Sequence, residues 1–439
     1  MTVRRTITVV GGGVLGLALA RQLRGHGASV RVLEAAAEIG GLAASHTVGA
    51  LEWDRFYHVI LESDMRTRDF VAAAGHASAL QWSTTRTGFY VDGRFLSLSN
   101  SLEFLRFPPL SYLAKGRLAW TILRAAQVRD FTALEHERVE PWLRRHSGDA
   151  TFERLWRPLL RAKLGDRYHD TSAAFIGATI ARMFAARRAG LQQERFGWLP
   201  GGWSSVLRAQ QSRLAADGTA VELNAPVAQI CCHADGLRTS LRDGRTFESD
   251  AVIVTASCRH IEAMCPQLTA AERERLRRVE YLGVICVSVE LDAPLGPYYV
   301  TNITDESLPF TAVIEMSALA SAASLEGRGL VYLPRYVGPD DPLWRATDEE
   351  IVAQFLRALD TMYPGARTRV RATRVARARD VMALPTLEYS SRAKPPVPTS
   401  VPGLFIANSA QIGAGTLNIN ETLGVVDDAM RALALAGMY

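Results

Sequence analysis

Three glycines at the spacing Gly11-x-Gly13-x-x-Gly16, followed after 17 intervening residues by Glu34, are the side-chain pattern here best suited to chemistry. Glycine at these points removes a side chain where backbone must turn tightly, approach a pyrophosphate, or press a helix against a strand. A helix opening at such a turn directs free N–H groups and the positive end of its dipole at an anion. Glu34 is placed to accept hydrogen bonds from ribose hydroxyls and would repel a 2′-phosphate, which disfavours NADP at this position. A second pair, Gly40-Gly41, stands six residues beyond Glu34 and leads to Ser45.

Candidates for proton transfer are more scattered. Tyr57 and His58 close the segment Trp53-Asp54-Arg55-Phe56-Tyr57-His58, where they can contact substrate, accept a proton, or simply pack. Only Lys115, Lys163 and Lys394 of the 50 basic residues are lysines, so a lysine marks a place where a compact ammonium could do what a guanidinium fork cannot. Lys163, near the end of a helical stretch opening at Pro158, reads either as such an ammonium or as a surface side chain lying along apolar neighbours. Glu315, with Phe310, Tyr298 and Tyr299, lies on strands that could line a cavity or form a core with a carboxylate at its edge. The five cysteines (Cys231, Cys232, Cys258, Cys265, Cys286) lack C-x-x-C spacing and a paired-histidine partner, so neither metal nor disulfide framework is expected.

These residues need elements to position them. Residues 5–10 are a short β-branched apolar run, 14–25 a helical stretch, and 29–33 a second strand, together one βαβ unit. A hairpin is expected around Asp92-Gly93, helices over 111–195, and a helix over 204–216. Further strands fall at 220–223, 251–255, 281–291, 328–337 and 404–407, with a hairpin at Asp243-Gly244 and a last helix from about Asn420 to Ala436. Dinucleotide-type elements therefore occur in three separated pieces, which predicts interleaved rather than tandem units.

Composition sets the bounds. A chain of 439 residues, 48% hydrophobic and 22% charged, has apolar residues enough for two or three packed units and is not intrinsically disordered. The formal charge of +5, interspersed along the chain, is not a nucleic-acid footprint. No apolar run is long enough to span a bilayer, and three glycines interrupt the only run resembling a signal peptide, so a reducing cytoplasm is the expected address. Phe107-Pro-Pro-Leu-Ser-Tyr-Leu113 with Lys115, Arg117 and Trp120 offers either weak peripheral contact with a membrane or a cover for the substrate unit.

The extended pattern Val9-Val10-Gly11-Gly12-Gly13-Val14-x-Gly16-Leu17, then Glu34, Gly40-Gly41 and Ser45, resembles the fingerprint of the flavoprotein superfamily that contains protoporphyrinogen oxidase, amine oxidase and UDP-galactopyranose mutase. The resemblance extends to Gly201-Gly202, to Asp250–Ala256 and to Leu404–Asn408. It implies an α/β fold: a Rossmann-like FAD-binding domain built from discontinuous segments (1–80, 196–265, 385–439), interleaved with an α+β substrate domain (81–195, 266–384). It implies FAD held by Gly11, Gly13, Val14, Leu15 and Gly16, by Glu34 and Ala35, and by Gly40, Gly41, Leu42 and Ala43. Val227, Thr255, Asn408, Thr416, Leu417 and Asn418 are the implied later contacts, with Asn408-Ser409 standing where relatives carry Gly-Asp. Amine oxidases place a lysine near the flavin on a strand corresponding to 282–287, and none is present there; no cysteine follows Cys286, so FAD is expected to be non-covalent.

The expected function is an FAD-dependent oxidoreductase acting on a small organic metabolite in a biosynthetic pathway. Two other readings share the motifs: a redox-neutral, flavin-dependent isomerase of a nucleotide sugar, and a non-enzymatic binding protein like the Rab GDP-dissociation inhibitors.

Overall fold

A computed structural model describes residues 5–186, 195–413 and 417–439. Five parallel strands form the first sheet, in the order Ala220–Glu222, Ser29–Leu33 (β2), Thr6–Val10 (β1), Ala251–Val254 and Leu404–Ile406. β1 is β-branched almost throughout because both its faces are covered, as in parallel sheets generally. Ile7 and Val9 pack against the Val14–Gly25 helix (α1) and the Ile419–Leu435 helix, whereas Val10 turns to the opposite core. That second core is closed by a three-stranded antiparallel sheet, Val227–His233, Gly236–Leu241 and Thr246–Ser249, and by the Cys258–Met264 and Ala270–Arg277 helices. Its strands come from widely separated stretches of chain, so the first sheet is discontinuous in sequence.

A seven-stranded mixed sheet forms the other layer, in the order Val370–Ala383, Tyr281–Leu291, Gly329–Val337, Ala312–Glu315, Val300–Ile303, Thr87–Val91 and Arg94–Ser97. The hairpin expected at Asp92-Gly93 joins the last two strands, with both turn residues at positive φ. One face packs on the Asp348–Met362 helix. The other faces a helical layer that includes Tyr112–Ala126, Val139–Ser147, Arg157–Leu164 and Ala173–Ala186. Alternation along each strand decides which side chain serves which face. Leu282, Val284 and Cys286 look to the helical layer, and Ile285, Val287 and Val289 look away.

The sequence reading has no strand at Val370–Ala383, which is the edge of this sheet and alternates small residues with arginines. Charged side chains on an edge prevent pairing with another chain, and they also hide the strand from a search for apolar alternation. Just where the stretch expected to be helical ends, Arg195–Trp198 is a strand pairing with Ile60–Leu61 and Gln81–Thr84. The boundaries 80/81 and 195/196 thus fall inside one small sheet. No described helix is long and apolar enough to cross a membrane.

Candidate functional site

The β1–α1 turn is shaped by its glycines. Gly11 has φ +114°, and a Cβ there would collide with Thr255 Oγ1; a Cβ at Gly16 would collide with the Gly11 carbonyl oxygen. Gly13 serves another purpose, since a Cβ there would meet nothing nearer than the Gly40 carbonyl, 3.8 Å away. Gly13 and Gly40 bridge as parallel strands, and Gly40 N donates to Gly12 O at 2.9 Å, so both glycine pairs edge one crevice. Gly41 and Ala35 are exposed beside it, while Ala43 is buried below and Leu42 is partly buried.

Glu34 accepts from Gly12 N at 2.6 Å and from Ala36 N at 2.8 Å, which fixes its carboxylate at the lip of the turn. Ala225 N donates to Glu34 O at 2.8 Å, carrying the chain from Glu34 towards Val227, where a register shift interrupts the ladder between Val227 and Gln229. Thr255 donates through both N and Oγ1 to Val10 O, at 2.9 Å each, and so clamps the end of β1.

α1 begins at Gly13 without a side-chain cap and with no acidic residue in its first turn, whereas Thr269 and Thr347 cap their helices with full capping boxes. Val14 and Leu15 are buried on its first turn. An uncapped positive helix end, space above Gly13 and a carboxylate at the end of the second strand together fit the adenosine diphosphate half of FAD.

The C-terminal contacts divide. Asn408 is 2% exposed; its Oδ1 accepts from Ala410 N at 3.0 Å and its Nδ2 donates to Ala256 O at 2.7 Å. Its amide is therefore engaged in tying the end of the Leu404–Ile406 strand to the residue after Thr255. Asn418 caps the Ile419–Leu435 helix by accepting from Glu421 N at 3.0 Å, and Leu417 packs against the core facing the seven-stranded sheet. Thr416 lies outside the described residues.

Leu42, beside the glycine crevice, and Leu417 pack in one apolar cluster with Tyr57, Leu282, Val284 and Cys286 on the inner face of the seven-stranded sheet. On this face Tyr57 OH lies 3.3 Å from Tyr336 OH, and Lys163 Nζ lies 3.8 Å from the centre of the Tyr336 ring. Burial and the neighbouring Tyr336, Cys286 and Tyr299 push the Tyr57 phenol well above its ordinary range. Burial also opposes ionisation of Tyr336, but the Lys163 ammonium and hydrogen bonds from Lys163 and Tyr57 outweigh it and bring this phenol below the ordinary value. Burial raises the Cys286 thiol, and burial with Asp54 nearby raises Tyr299 and Tyr332.

Of the other two candidates, His58 flanks this cluster and Glu315 lies apart from it. His58 Nδ1 is 3.5 Å from Asp54 Oδ2, beside a small enclosed space walled by Trp53, Trp198 and Trp203. Asp54 Oδ1 accepts from Trp203 N at 2.7 Å, which holds the carboxylate against that wall. Glu315 is 1% exposed and alternates with Ile314, which faces the Tyr57 cluster. It accepts from Leu295 N (2.8 Å), Gly296 N (3.2 Å) and Ser317 Oγ (2.6 Å), and burial raises its pKa despite these bonds. The structure thus brings Tyr57 and Lys163 together through Tyr336 and leaves Glu315 apart. Tyr336 is missing from the sequence reading, although alternation along Gly329–Val337 places it on the same side as Leu330 and Tyr332.

The sequence profile of the flavin containing amine oxidoreductase family matches residues 16–418. Mitochondrial protoporphyrinogen oxidase of Nicotiana tabacum is 27% identical over 169 residues, covering 37% of this chain and 33% of that one. The chain spans between 33% and 60% of the length of the curated relatives it matches. A crystal structure from Exiguobacterium sp. 255-15, provisionally named protoporphyrinogen oxidase, superposes with a TM-score of 0.77 at 17% identity over 100% of both chains. Reduced UDP-galactopyranose mutase superposes with a TM-score of 0.75 at 14% identity, covering 99% of this chain and 95% of the other. At such identities the structural likeness shows a common fold.

Proposed function

The chain belongs to the flavin-containing amine oxidoreductase family, and from that premise we propose that it is an FAD-dependent oxidoreductase that removes hydride from a small organic metabolite in a biosynthetic pathway. FAD, when bound, supplies the two-electron acceptor, so the protein's work is to bind, orient and manage protons. The observation that carries the reading is that Leu42, beside the glycine crevice, and Leu417, just before the last helix, pack in the same apolar cluster as Tyr57.

Gly11, Gly13, Val14, Leu15 and Gly16 would hold the pyrophosphate at the α1 terminus, and Glu34 the ribose. Val227 would contact the adenosine end, Thr255 would support the turn beside Gly11, and Leu417 and Asn418 would lie towards the ring end. The apolar side chains around Tyr57 exclude water from the reacting C–H bond, while the two phenols and Lys163 are the polar groups positioned to orient a substrate. The attachment proposed is non-covalent, since no cysteine follows Cys286 to form a C-terminal thioether. The glycine turn, uncapped helix and free space above Gly13 support a cofactor-using enzyme over a cofactor-free binding protein.

Peripheral bilayer contact is proposed for the Phe107–Leu113 segment and the Tyr112–Ala126 helix that follows it. Phe107 and Leu110 turn inward and Lys115 Nζ donates to Leu105 O at 2.7 Å, so these residues of the expected patch serve the interior. Leu113 (78% exposed) and Trp120 (62%) remain outside with Arg117.

Anaerobic mixing of the holoprotein with candidate amines, alcohols and tetrapyrrole or isoprenoid precursors, followed at the visible flavin band, tests the function. Bleaching by one class supports oxidation. Bleaching by none, combined with turnover of a nucleotide sugar after catalytic pre-reduction, would replace it with the redox-neutral reading.

A further inference from the structure

We propose that Tyr57, Tyr336 and Lys163 form a proton path, in which Tyr336 receives, through Tyr57, the proton released by the substrate and passes it to water in the large cleft at the end of the seven-stranded sheet. The proposal rests on the reading that substrate lies against the Tyr57 face.

Its geometry comes from three distant stretches of chain. Tyr57 follows the Leu51–Asp54 strand, Tyr336 ends the Gly329–Val337 strand opposite Val284, and Lys163 arrives on the Arg157–Leu164 helix. The two phenol oxygens are 3.3 Å apart, and the ammonium lies over the second ring at 3.8 Å from its centre. Tyr336 also lines a cleft of about 1030 Å³, together with Arg161, Leu282, Pro309 and Trp344. Tyr336 thus meets the buried phenol of Tyr57 on one side and contributes to the wall of the cleft on the other.

The groups facing Tyr336 are Lys163 from the helix, Tyr57 from the loop and Cys286 from the adjoining strand. Its neighbour Arg335 is directed elsewhere, donating to Pro309 O at 3.1 Å and lying 3.9 Å from Asp341. A cation over one of two touching phenols separates their tendencies to ionise: Tyr336 gives up its proton more readily than Tyr57.

In the step itself, the substrate's heteroatom–hydrogen bond breaks and its electron pair stays on the heteroatom. Tyr57 Oη takes that proton while its own proton forms a new O–H bond on the Tyr336 phenolate. Loss of the proton from Tyr336 to water restores the phenolate, so the residues end unchanged and one proton leaves. Lys163 is a positioning residue, acting on the substrate only through Tyr336.

The test is a pH titration of the phenolate absorbance in flavin-loaded protein, with flavin content read from the visible band of the same samples. Among the 12 tyrosines, one phenol should ionise below the free-tyrosine range of about 10. That early phase should vanish in Tyr336→Phe, move upward in Lys163→Met and stay low in Lys163→Arg. The acid limb of the turnover–pH profile should move upward with it in Lys163→Met. An early phase that survives Tyr336→Phe, or no early phase in protein that carries flavin and melts normally, overturns the path. Protein that lacks flavin fails the functional reading instead, which separates the two. Thermal melting of each variant shows whether it folds, and Lys163→Arg provides the comparison if Lys163→Met does not.

Discussion

The glycine crevice and the Tyr57 face meet in one cluster but are built on different principles. The crevice is made mainly of backbone over a short span: Gly12 N meets Glu34 across one βαβ unit, and helix, turn and strand need only the right spacing. The Tyr57 face is made of side chains from positions such as Tyr57, Lys163 and Tyr336, which approach only after two sheets have assembled. A binding site for a common cofactor can thus be local and rigid, while the part that selects chemistry is long-range and free to vary.

The largest break of this comparison should come from Gly16→Val. Its branched side chain would be driven into the Gly11 carbonyl, so flavin retention should be lost and stability should fall by about 1–3 kcal/mol, the usual cost of overpacking. Flavin-to-protein absorbance and melting temperature read both effects. Tyr57→Phe should do the reverse, leaving flavin content unchanged while lowering turnover on the order of 100-fold, the low end of proton-transfer contributions. Equal loss of flavin and turnover in that variant would erase the distinction between the regions.

Glu34→Ala sharpens the comparison within the crevice. Removing a charged hydrogen-bond acceptor costs roughly 1.5–3 kcal/mol, so FAD should bind about 10- to 100-fold more weakly, measurable by equilibrium dialysis, with the fold retained. Unchanged affinity would remove Glu34 from the ribose.

The smallest effect concerns the seam between the regions. His46, on the Ser45–Val48 strand, lies 3.1 Å from Ser288 Oγ, and burial first, then Arg374, lowers its pKa to about 4. A histidine depressed in the folded state binds its proton more readily when unfolded, so stability is full above about pH 6.5 and declines as pH falls towards 4. Allowing for solvent screening of this partly exposed ring, the loss should be on the order of 1 kcal/mol. Denaturant melts at both pH values should show it in the wild type and less of it in His46→Gln.

What could be read from the sequence follows the same division. β1, α1, β2 and the Tyr281–Leu291 strand were legible because apolar period and glycine punctuation are local signals. The Val370–Ala383 edge was hidden by its arginines, and Arg195–Trp198 by its shortness between two helical stretches. Glu34 was singled out by its spacing from the glycines, and Gly40-Gly41 by the resemblance to a flavoprotein fingerprint. Lys163 stood out only because lysine is rare here, and nothing local distinguished Tyr336, whose importance depends on what lies opposite it. Asn408 shows the limit of reading by position: the amide is where the pattern places it, yet its hydrogen bonds go to Ala256 and Ala410.

The most direct test of the account is the flavin itself. Purified, FAD-reconstituted protein should carry one FAD per chain, and acid denaturation should release it intact and leave the polypeptide at its sequence mass. Protein that stays colourless after reconstitution, with no FAD recovered on denaturation, would contradict the central claim.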